Sequence, residues 1–292
     1  MAEPADAKTG VGQGTKPGEK VLLIKAKGGL GNRMLSAITG LIYADLTGRR
    51  AIIDWRDGVY APRGENAYPR LFDAPYEMDV TAYDGVETTV PEIWGGELDK
   101  HPVDMISTHD PTKHSSPFIY RKYCVPLWRL ERETDVAVFW CYLPKTLRLQ
   151  RHLVGDARFQ NRSVESVITE YLTRYFTPNA RVRGAVESFL AGLSRPRIGV
   201  HIRYTDRKIP LAPIRAALKA ARAELPDAPV FLATDNATIQ GEFAAEFDNL
   251  HFTEKWLPED GAHLHLGGDG VDLALEAENA MIDMWALAGC DR

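Results

Sequence analysis

Two apolar runs, separated by a glycine-rich turn and a helical pattern, constrain the fold of this chain more than any other feature. Val21–Ala26 is predicted to form a buried strand, and Ala51–Trp55 is predicted to form a second one. Between them, the turn Gly28–Asn32 leads into a helix with apolar residues at helical spacing, which Gly48 caps at its end. A strand, a helix and a second strand in this order form a parallel unit, so we predict an α/β fold.

The second half of the chain repeats this pattern. Arg197–Ile202 is predicted to be a strand, Leu211–Glu224 a helix, Pro229–Ala233 a strand, and Asp272–Ala288 a final helix. Ser194-Arg195-Pro196 interrupts the helical text that precedes it. We therefore predict a leader over residues 1–19, disordered because it is rich in Gly, Ala, Lys and Pro, and two α/β domains over 20–195 and 196–292.

Composition excludes several classes of protein. Of the 292 residues, 45% are hydrophobic and 26% are charged, which is typical of a soluble globular protein. A formal net charge of -5 gives no general attraction to nucleic acid. No run approaches the roughly 20 apolar residues of a membrane span, and no signal peptide is recognisable, so we expect a cytoplasmic protein.

The distribution of cysteine and histidine gives no metal-binding pattern. The three cysteines are far apart and form no Cys-x-x-Cys pair. His101, His109 and His114 lack ligand spacing and are expected to be exposed, while His263-Leu264-His265 is expected to lie in a flexible glycine-rich loop. We therefore expect no metal cofactor.

The strand Arg197–Ile202 carries the most informative polar residues. His201 and Arg203 alternate with Val200 and Ile202, so on a strand the polar pair shares one face and the aliphatic pair the other. A core strand has no need for an imidazole beside a guanidinium, whereas the fork of donors on an arginine matches phosphate oxygens. The residue chemistry leaves two possibilities open, a diphosphate site and a solvated strand end.

Three further segments are candidates for ligand contacts. The Gly28–Asn32 turn exposes backbone N–H groups at the start of a helix, where an anion can bind. Thr234-Asp235-Asn236 follows a predicted parallel strand, where α/β sheets bind ligands, although both side chains could simply cap the next helix. Asp283 lies on a largely apolar helix and needs a partner, which could be a ligand or a neighbouring cation.

These segments together resemble a known enzyme family. His201-Ile202-Arg203-Tyr204-Thr205-Asp206-Arg207 is similar to the His-x-Arg-x-Thr-Asp-Lys motif of the nodulation-type α1,6-fucosyltransferases. Gly28–Arg33 resembles the Gly-x-x-Gly-Asn-Gln/Arg loop of the wider α1,2-, α1,6- and protein O-fucosyltransferase superfamily, and Phe231–Asn236 and Ala280–Asp291 resemble its second and third motifs. The resemblance implies a GT-B fold, with two Rossmann-like domains facing across a cleft, and metal-independent transfer of fucose from GDP-fucose to a carbohydrate acceptor.

The resemblance also implies roles for individual residues. Arg203 would stabilise the charge that grows on the leaving phosphate. The resemblance does not assign the base; Asp206 is the candidate because it is the nearest acid in sequence, although Arg203 and Arg207 favour a depressed pKa and hence a weak base. The other donor-binding candidates are Gly31, Asn32, Arg33, His201, Asp235 and Asp283. The N-terminal domain would take the acceptor, and Asp283 would recognise guanine. Because Golgi relatives carry a membrane anchor and this chain shows none, a bacterial, cytoplasmic enzyme is expected.

The sequence also departs from the family pattern. Eukaryotic α1,6 enzymes have a Glu shortly after the His-x-Arg motif, whereas Ile209–Pro213 contains no acid here. The family also continues after the third motif with a strand and a Ser-rich turn, whereas this sequence ends at Arg292. Two alternatives therefore stay open: a GT-B transferase for another GDP-sugar, and a non-catalytic protein that binds a nucleotide-sugar or a glycan. A Rossmann dehydrogenase is disfavoured because the first glycine turn has the wrong spacing.

Overall fold

The fold was analysed in a computed structural model, which describes residues 19–112, 119–205, 208–255, 257 and 272–292. The strands are β1 (Val21–Lys25), β2 (Arg50–Asp54), β3 (Thr89–Val90), β4 (Val136–Phe139), β5 (Ile198–Ile202), β6 (Val230–Thr234) and β7 (Leu250–His251). The helices are α1 (Leu30–Thr47), α2 (Tyr68–Leu71), α3 (Pro102–His109), α4 (Ile119–Tyr123), α5 (Gln150–Gly155), α6 (Val164–Tyr175), α7 (Ala180–Ala191), α8 (Leu211–Glu224), α9 (Ala237–Glu246) and α10 (Leu273–Ala288). Short 3₁₀ turns lie at Thr81–Tyr83, Glu92–Trp94 and Thr146–Leu149.

The described residues form two compact units. Unit 1 contains residues 19–55 and Tyr76–Thr173, and unit 2 contains Arg56–Pro75 and Arg174–Arg292. Unit 2 thus includes α7, because Phe189 packs against Phe231 of β6 with ring centroids 4.9 Å apart and Leu190 packs against Gly289 after α10. The segment Arg56–Pro75 joins the same unit through Tyr68, whose hydroxyl donates to the Tyr175 carbonyl at 2.6 Å.

Unit 1 is built on a four-stranded parallel sheet in the order β2-β1-β4-β3. All five side chains of β1 are buried, which is typical of a parallel strand covered on both faces. The last residue of β1, Lys25, is paired across the sheet with Asp54 of β2 at 2.7 Å, and both side chains are fully buried. The Lys25 ammonium also donates to the Leu98 carbonyl at 2.7 Å, so an otherwise apolar core contains a charged pair at the carboxyl edge of the sheet.

Unit 2 is built on a three-stranded parallel sheet in the order β5-β6-β7. One face packs against α8 and α9 through Ile198, Ile202, Leu218 and Phe243. The other face packs against α7 and α10 through a second cluster, formed by Phe231, Ala233, Ala286, Phe189, Leu190, Leu287 and Cys290. The helix α10 is followed by residues that bond along β5, since Gly199 donates to the Arg292 carbonyl at 2.8 Å and Arg292 donates to the Arg197 carbonyl at 3.2 Å.

The structure confirms the predicted α/β class and most element positions. The first parallel unit, the left-handed glycine cap at Gly48 (φ 69°) and the helix Leu211–Glu224 are as predicted. The expectation that His101 is exposed was wrong, because it is buried at the start of α3, where its backbone N–H bonds to Asp104 at 3.2 Å. The predicted leader falls almost entirely outside the described residues, as do His114, His263 and His265. None of the helices in the described part of the chain is long and apolar enough to cross a membrane.

Candidate functional site

The carboxyl end of β5 presents the two residues that the sequence singles out. His201 and Arg203 are exposed, while Ile202 between them is buried in the core of unit 2. Val200 and Ile202 pack on the α8–α9 side, and Gly199 on the opposite face lies against Leu287 and Cys290. The strand therefore alternates as predicted, with His201 on the face opposite to Val200 and Ile202, and Arg203 follows directly after the last residue of the strand.

Asp235, at the end of β6, holds the loop that carries Arg203. Its Oδ1 accepts hydrogen bonds from the backbone N–H groups of Tyr204 at 2.7 Å and Thr205 at 3.2 Å. The Thr205 hydroxyl returns a bond to the Asp235 carbonyl at 2.6 Å. A carboxylate that accepts two backbone N–H bonds is strongly bound, so Asp235 fixes the direction in which the chain leaves β5.

The adjacent Asn236 has the structural role that the sequence left open. Its side-chain oxygen accepts from the Ile239 N–H at 3.0 Å, which makes it the cap of α9. The two residues after β6 therefore have different structural roles. Asn236 caps α9, and Asp235 stabilises the loop that follows β5. Thr205 was not singled out as a site residue, although it belongs to the His-x-Arg motif.

Asp283 of α10 is buried, and it has two partners. Its carboxylate pairs with the ammonium of Lys255, and its Oδ1 accepts from the Thr253 hydroxyl at 2.5 Å. Both partners lie just after β7, on the side of the sheet where the strands end. The ion pair is one of the alternatives that the sequence allowed, and Lys255 could not be identified as the partner because 28 residues separate it from Asp283.

The Gly28–Asn32 turn lies at the carboxyl end of β1 in unit 1. Gly28 has φ 88°, and a Cβ placed there would lie 2.7 Å from Cε2 of Tyr142, so both the backbone and the packing require glycine. Helix α1 begins at Leu30, and Gly31 and Asn32 lie in its first turn, partly buried. The first N–H groups of a helix lack intrahelical partners, and a Cβ at Gly31 would meet nothing within 4 Å. The turn can therefore receive an anion at the start of α1.

Arg33 is placed differently from Arg203. It is only 1% exposed, its Nε donates to the Gly28 carbonyl at 2.6 Å, and its guanidinium lies 5.8 Å from the centre of the Trp55 ring. These contacts fasten the glycine turn to the start of α1. In this structure, Arg33 is therefore a buried residue that stabilises the glycine turn.

The candidates divide between the two units. Gly31, Asn32 and Arg33 belong to unit 1, and His201, Arg203, Asp235 and Asp283 belong to unit 2, all on the carboxyl side of their sheets. This is the side on which open α/β sheets bind ligands. Asp206, the candidate base, lies outside the described residues. Among the residues that the structure describes, no group of three or more His, Cys, Asp or Glu side chains is arranged to hold a metal ion.

The α/β fold with parallel sheets is similar to that of solved GT-B fucosyltransferases. The chain is 19% identical to NodZ α1,6-fucosyltransferase soaked with GDP-fucose, over 93% of this chain and 86% of that one, with a TM-score of 0.61. It is 18% identical to fucosyltransferase NodZ from Bradyrhizobium, over 93% and 87%, with a TM-score of 0.57. A variant of Arabidopsis thaliana FUT1 in complex with GDP matches at 15% identity over 94% of this chain and 65% of that one, with a TM-score of 0.51.

The likeness is one of fold, because identity this low leaves most side chains different. No family model matches the sequence, and no curated protein matches it by sequence comparison. The structural matches confirm, at the level of the fold, the resemblance that the sequence shows in about thirty motif residues.

Proposed function

We propose that the chain is an inverting glycosyltransferase that moves L-fucose from GDP-β-L-fucose to a carbohydrate hydroxyl, without a metal. The observation that carries the proposal is the exposed His201–Arg203 pair at the end of β5, on a fold similar to that of fucosyltransferases solved with GDP-fucose and GDP. The fastening of this loop by Asp235 supports it, because a phosphate-binding arginine must be held in position.

In the proposed reaction, an acceptor oxygen forms a bond to the anomeric carbon of fucose while the bond from that carbon to the β-phosphate oxygen breaks. The acceptor proton passes to a base, and GDP leaves with the electron pair of the broken bond. Because GDP is a good leaving group, the protein mainly stabilises negative charge on the β-phosphate. Arg203 is assigned this task.

The remaining residues are assigned supporting tasks. His201 would hydrogen-bond the donor, and the N–H groups at Gly31 and Asn32 would bind it at the start of α1. Asp235 would act as a positioning residue through the Arg203 loop. Asp283 would accept from the N1–H and N2 amine of guanine, with Lys255 and Thr253 holding its carboxylate. Asp206 is proposed as the base, although neighbouring arginines weaken it as a proton acceptor.

The test is calorimetric titration of the chain with GDP, UDP and ADP in the presence of EDTA. We expect GDP to bind preferentially, and Arg203→Ala to lower its affinity at least tenfold, because a charge-assisted phosphate bond contributes about 1.5–3 kcal/mol. Arg195→Ala is the matched control, since Arg195 lies before the amino end of β5, away from the proposed site. No preference for GDP, or equal effects of the two substitutions, would overturn the proposal.

Two alternatives are separated by further measurements. Stronger binding of GDP-mannose than of GDP-fucose would indicate a transferase for another GDP-sugar. The absence of an acid from the segment Ile209–Pro213 favours a binding protein without catalytic activity, and this would be supported if GDP-fucose bound but no GDP were released with or without glycan acceptors. A cytoplasmic location and a bacterial source remain predictions from the sequence.

A further inference from the structure

Unit 1 contains a cavity of about 890 Å³ that the proposed donor site does not use. It lies at the carboxyl end of β4, and its lining contains four cationic side chains and no acidic one. The lining residues are Tyr120, Arg121, Cys124, Val125, Pro126, Leu127, Trp128, Phe139, Trp140, Cys141, Lys145, Arg148 and Arg151. A cavity of this size is large enough for a small organic ligand.

Three of the four cations in the lining lack an acidic partner within the described residues. No carboxylate in the described part of the chain lies within salt-bridge distance of Lys145, Arg148 or Arg151. The Lys145 ammonium instead lies 5.7 Å from the centre of the Tyr120 ring. Two thiols also line the cavity, and burial raises the pKa of Cys141 to about 11, so neither contributes negative charge at neutral pH. The cavity therefore has a net positive charge.

Aromatic side chains form the walls. The Tyr120 and Trp140 rings lie 4.8 Å apart, and Trp128 is 65% exposed beside them. Trp140 is buried, and its indole N–H has no hydrogen-bond partner within the described residues. Aromatic faces beside cationic side chains suit a ligand that has both polar groups and apolar ring faces, as a saccharide does.

The walls of the cavity are held in place by α1. The Ser36 hydroxyl donates to the Cys141 carbonyl at 2.8 Å, and the Thr39 hydroxyl lies 3.0 Å from that of Thr146. Thr39 also accepts from the backbone N–H of Lys145 at 3.1 Å. Because these bonds fix the backbone that carries Lys145, the cation is presented from an ordered segment and the site is largely preformed.

The cavity also lies on the same edge of the sheet as the glycine turn. β1 and β4 are parallel neighbours, so the turn after β1 and the segment Trp140–Tyr142 after β4 leave the sheet together. The Tyr142 ring packs directly on Gly28. A ligand in the cavity would therefore lie beside the turn to which a sugar donor is assigned.

We propose that this cavity binds an anionic saccharide, whose carboxylate, sulfate or phosphate pairs with Lys145 and Arg148 and whose ring packs on Tyr120 or Trp128. As the identity of a fucosyl acceptor, the inference rests on the proposed function. As a binding site, it stands on the contents of the cavity alone. A neutral glycan would leave Lys145 and Arg148 without ionic partners. We therefore expect the cavity to select saccharides by their negative charge.

The test is binding of defined tetrasaccharides to the full chain, in the absence of nucleotide. Tetragalacturonate supplies carboxylates, a heparin-derived tetrasaccharide supplies sulfates, and cellotetraose is neutral. We expect at least one anionic ligand to bind tenfold or more tightly than cellotetraose, with affinity that falls between 50 and 300 mM NaCl. The tighter of the two anionic ligands identifies the charged group, and equal binding of all three overturns the inference.

Variants locate the binding. K145Q/R148Q is expected to lower affinity for the anionic ligand at least tenfold, whereas K100Q/R162Q, which removes two ion-paired cations of the same unit, should change it less than twofold. Trp128→Ala, at an exposed position, should weaken binding several-fold with an unchanged melting temperature. If K145Q/R148Q fails to fold, the effect of Trp128→Ala and the dependence of affinity on NaCl test whether the ligand binds in the cavity. Binding that neither of them weakens would overturn the inference.

The test of the cavity can fail or succeed independently of the test of the proposed GDP-fucose site. Anionic binding without GDP binding would support the cavity and overturn the proposed transferase. Fucose transfer to neutral glycans alone would support the transferase and overturn the cavity as its acceptor site, while the tetrasaccharide titrations decide whether the cavity binds an anionic saccharide. A loss of GDP affinity in K145Q/R148Q would also overturn the inference, because the cavity would then serve the diphosphate.

Discussion

Arg33 and Arg203 each lie beyond the carboxyl end of a parallel strand, one in each unit, yet they differ in burial. Arg33 is buried and donates to the Gly28 carbonyl, whereas Arg203 is exposed at the end of β5. In unit 2, Asp235 holds the loop after β5 by accepting from two of its backbone N–H groups. In unit 1, the arginine itself fastens the glycine turn. The comparison teaches that the residue type predicts the chemistry a side chain can perform, while burial decides how accessible that side chain is to a ligand.

The ion pairs of the two units give the largest expected effect. Asp54→Asn removes the charge that balances Lys25 in a fully buried pair, so we expect the free energy of unfolding to fall by about 3–5 kcal/mol. Asp283→Asn in unit 2 should cost less, about 1–3 kcal/mol, because Lys255 is partly accessible. Urea titrations followed by circular dichroism measure both changes. The double variant K25M/D54N should be more stable than Asp54→Asn alone, and an Asp54→Asn variant as stable as the wild type would contradict this account.

Substitution of the two arginines tests the comparison directly. Arg33→Met should lower the free energy of unfolding by about 2 kcal/mol, because the charged bond to the Gly28 carbonyl and the buried position are lost. Arg203→Met should change it by about 0.5 kcal/mol or less, since the side chain is exposed, yet it should lower GDP affinity at least tenfold. Thermal unfolding and calorimetry of both variants are required. The comparison fails if Arg203→Met destabilises the chain more than Arg33→Met does.

The positioning role of Asp235 predicts a smaller effect. Asp235→Ala leaves two backbone N–H groups without their acceptor, so the loop that carries Arg203 should become mobile, with a loss of about 1 kcal/mol in stability and about tenfold in GDP affinity. Asp235→Asn retains a carbonyl oxygen as an acceptor and should recover part of the affinity. Asn236→Ala is the control, since loss of the α9 cap should reduce stability by about 1 kcal/mol and leave GDP affinity unchanged. Equal affinities of Asp235→Ala and the wild type would assign Asp235 a purely local role.

The smallest expected effect concerns the thiols. Burial raises the pKa of Cys141 in unit 1 to about 11, whereas Cys290 in unit 2 is half-buried. As the pH rises from about 9 towards 11, the unfolded chain releases the Cys141 proton while the folded chain keeps it, so stability falls with increasing pH. Cys141→Ala should make this decline shallower by about 1 kcal/mol, and Cys290→Ala should change it less. Urea titrations at pH 8 and pH 10.5 measure the difference, and identical slopes for the two variants would contradict the prediction.

The sequence alone predicted the fold class and most of the elements. Strong periodicity with clear ends, as in Leu211–Glu224 and at the Gly48 cap, gave correct helices because local propensity and burial agree there. The segment between Trp55 and Pro75 was not predicted to join unit 2, since its place depends on contacts such as that between Tyr68 and Tyr175, more than a hundred residues apart. His101 was misjudged for the same reason, because nothing near it in the sequence shows that it is buried.

By itself, the sequence predicted which residues could bind a phosphate, through the alternation of His201 and Arg203 and the glycines that open α1. It also determined that this strand ends in a polar loop. Only the tertiary structure decided the partners: Asp235 for the Arg203 loop, Lys255 for Asp283, and the Gly28 carbonyl for Arg33. It also brought four cationic and four aromatic side chains into the lining of one cavity. The physical reason is that periodicity and turn chemistry act over a few residues, whereas the pairing of a buried charge depends on which distant segment packs against it.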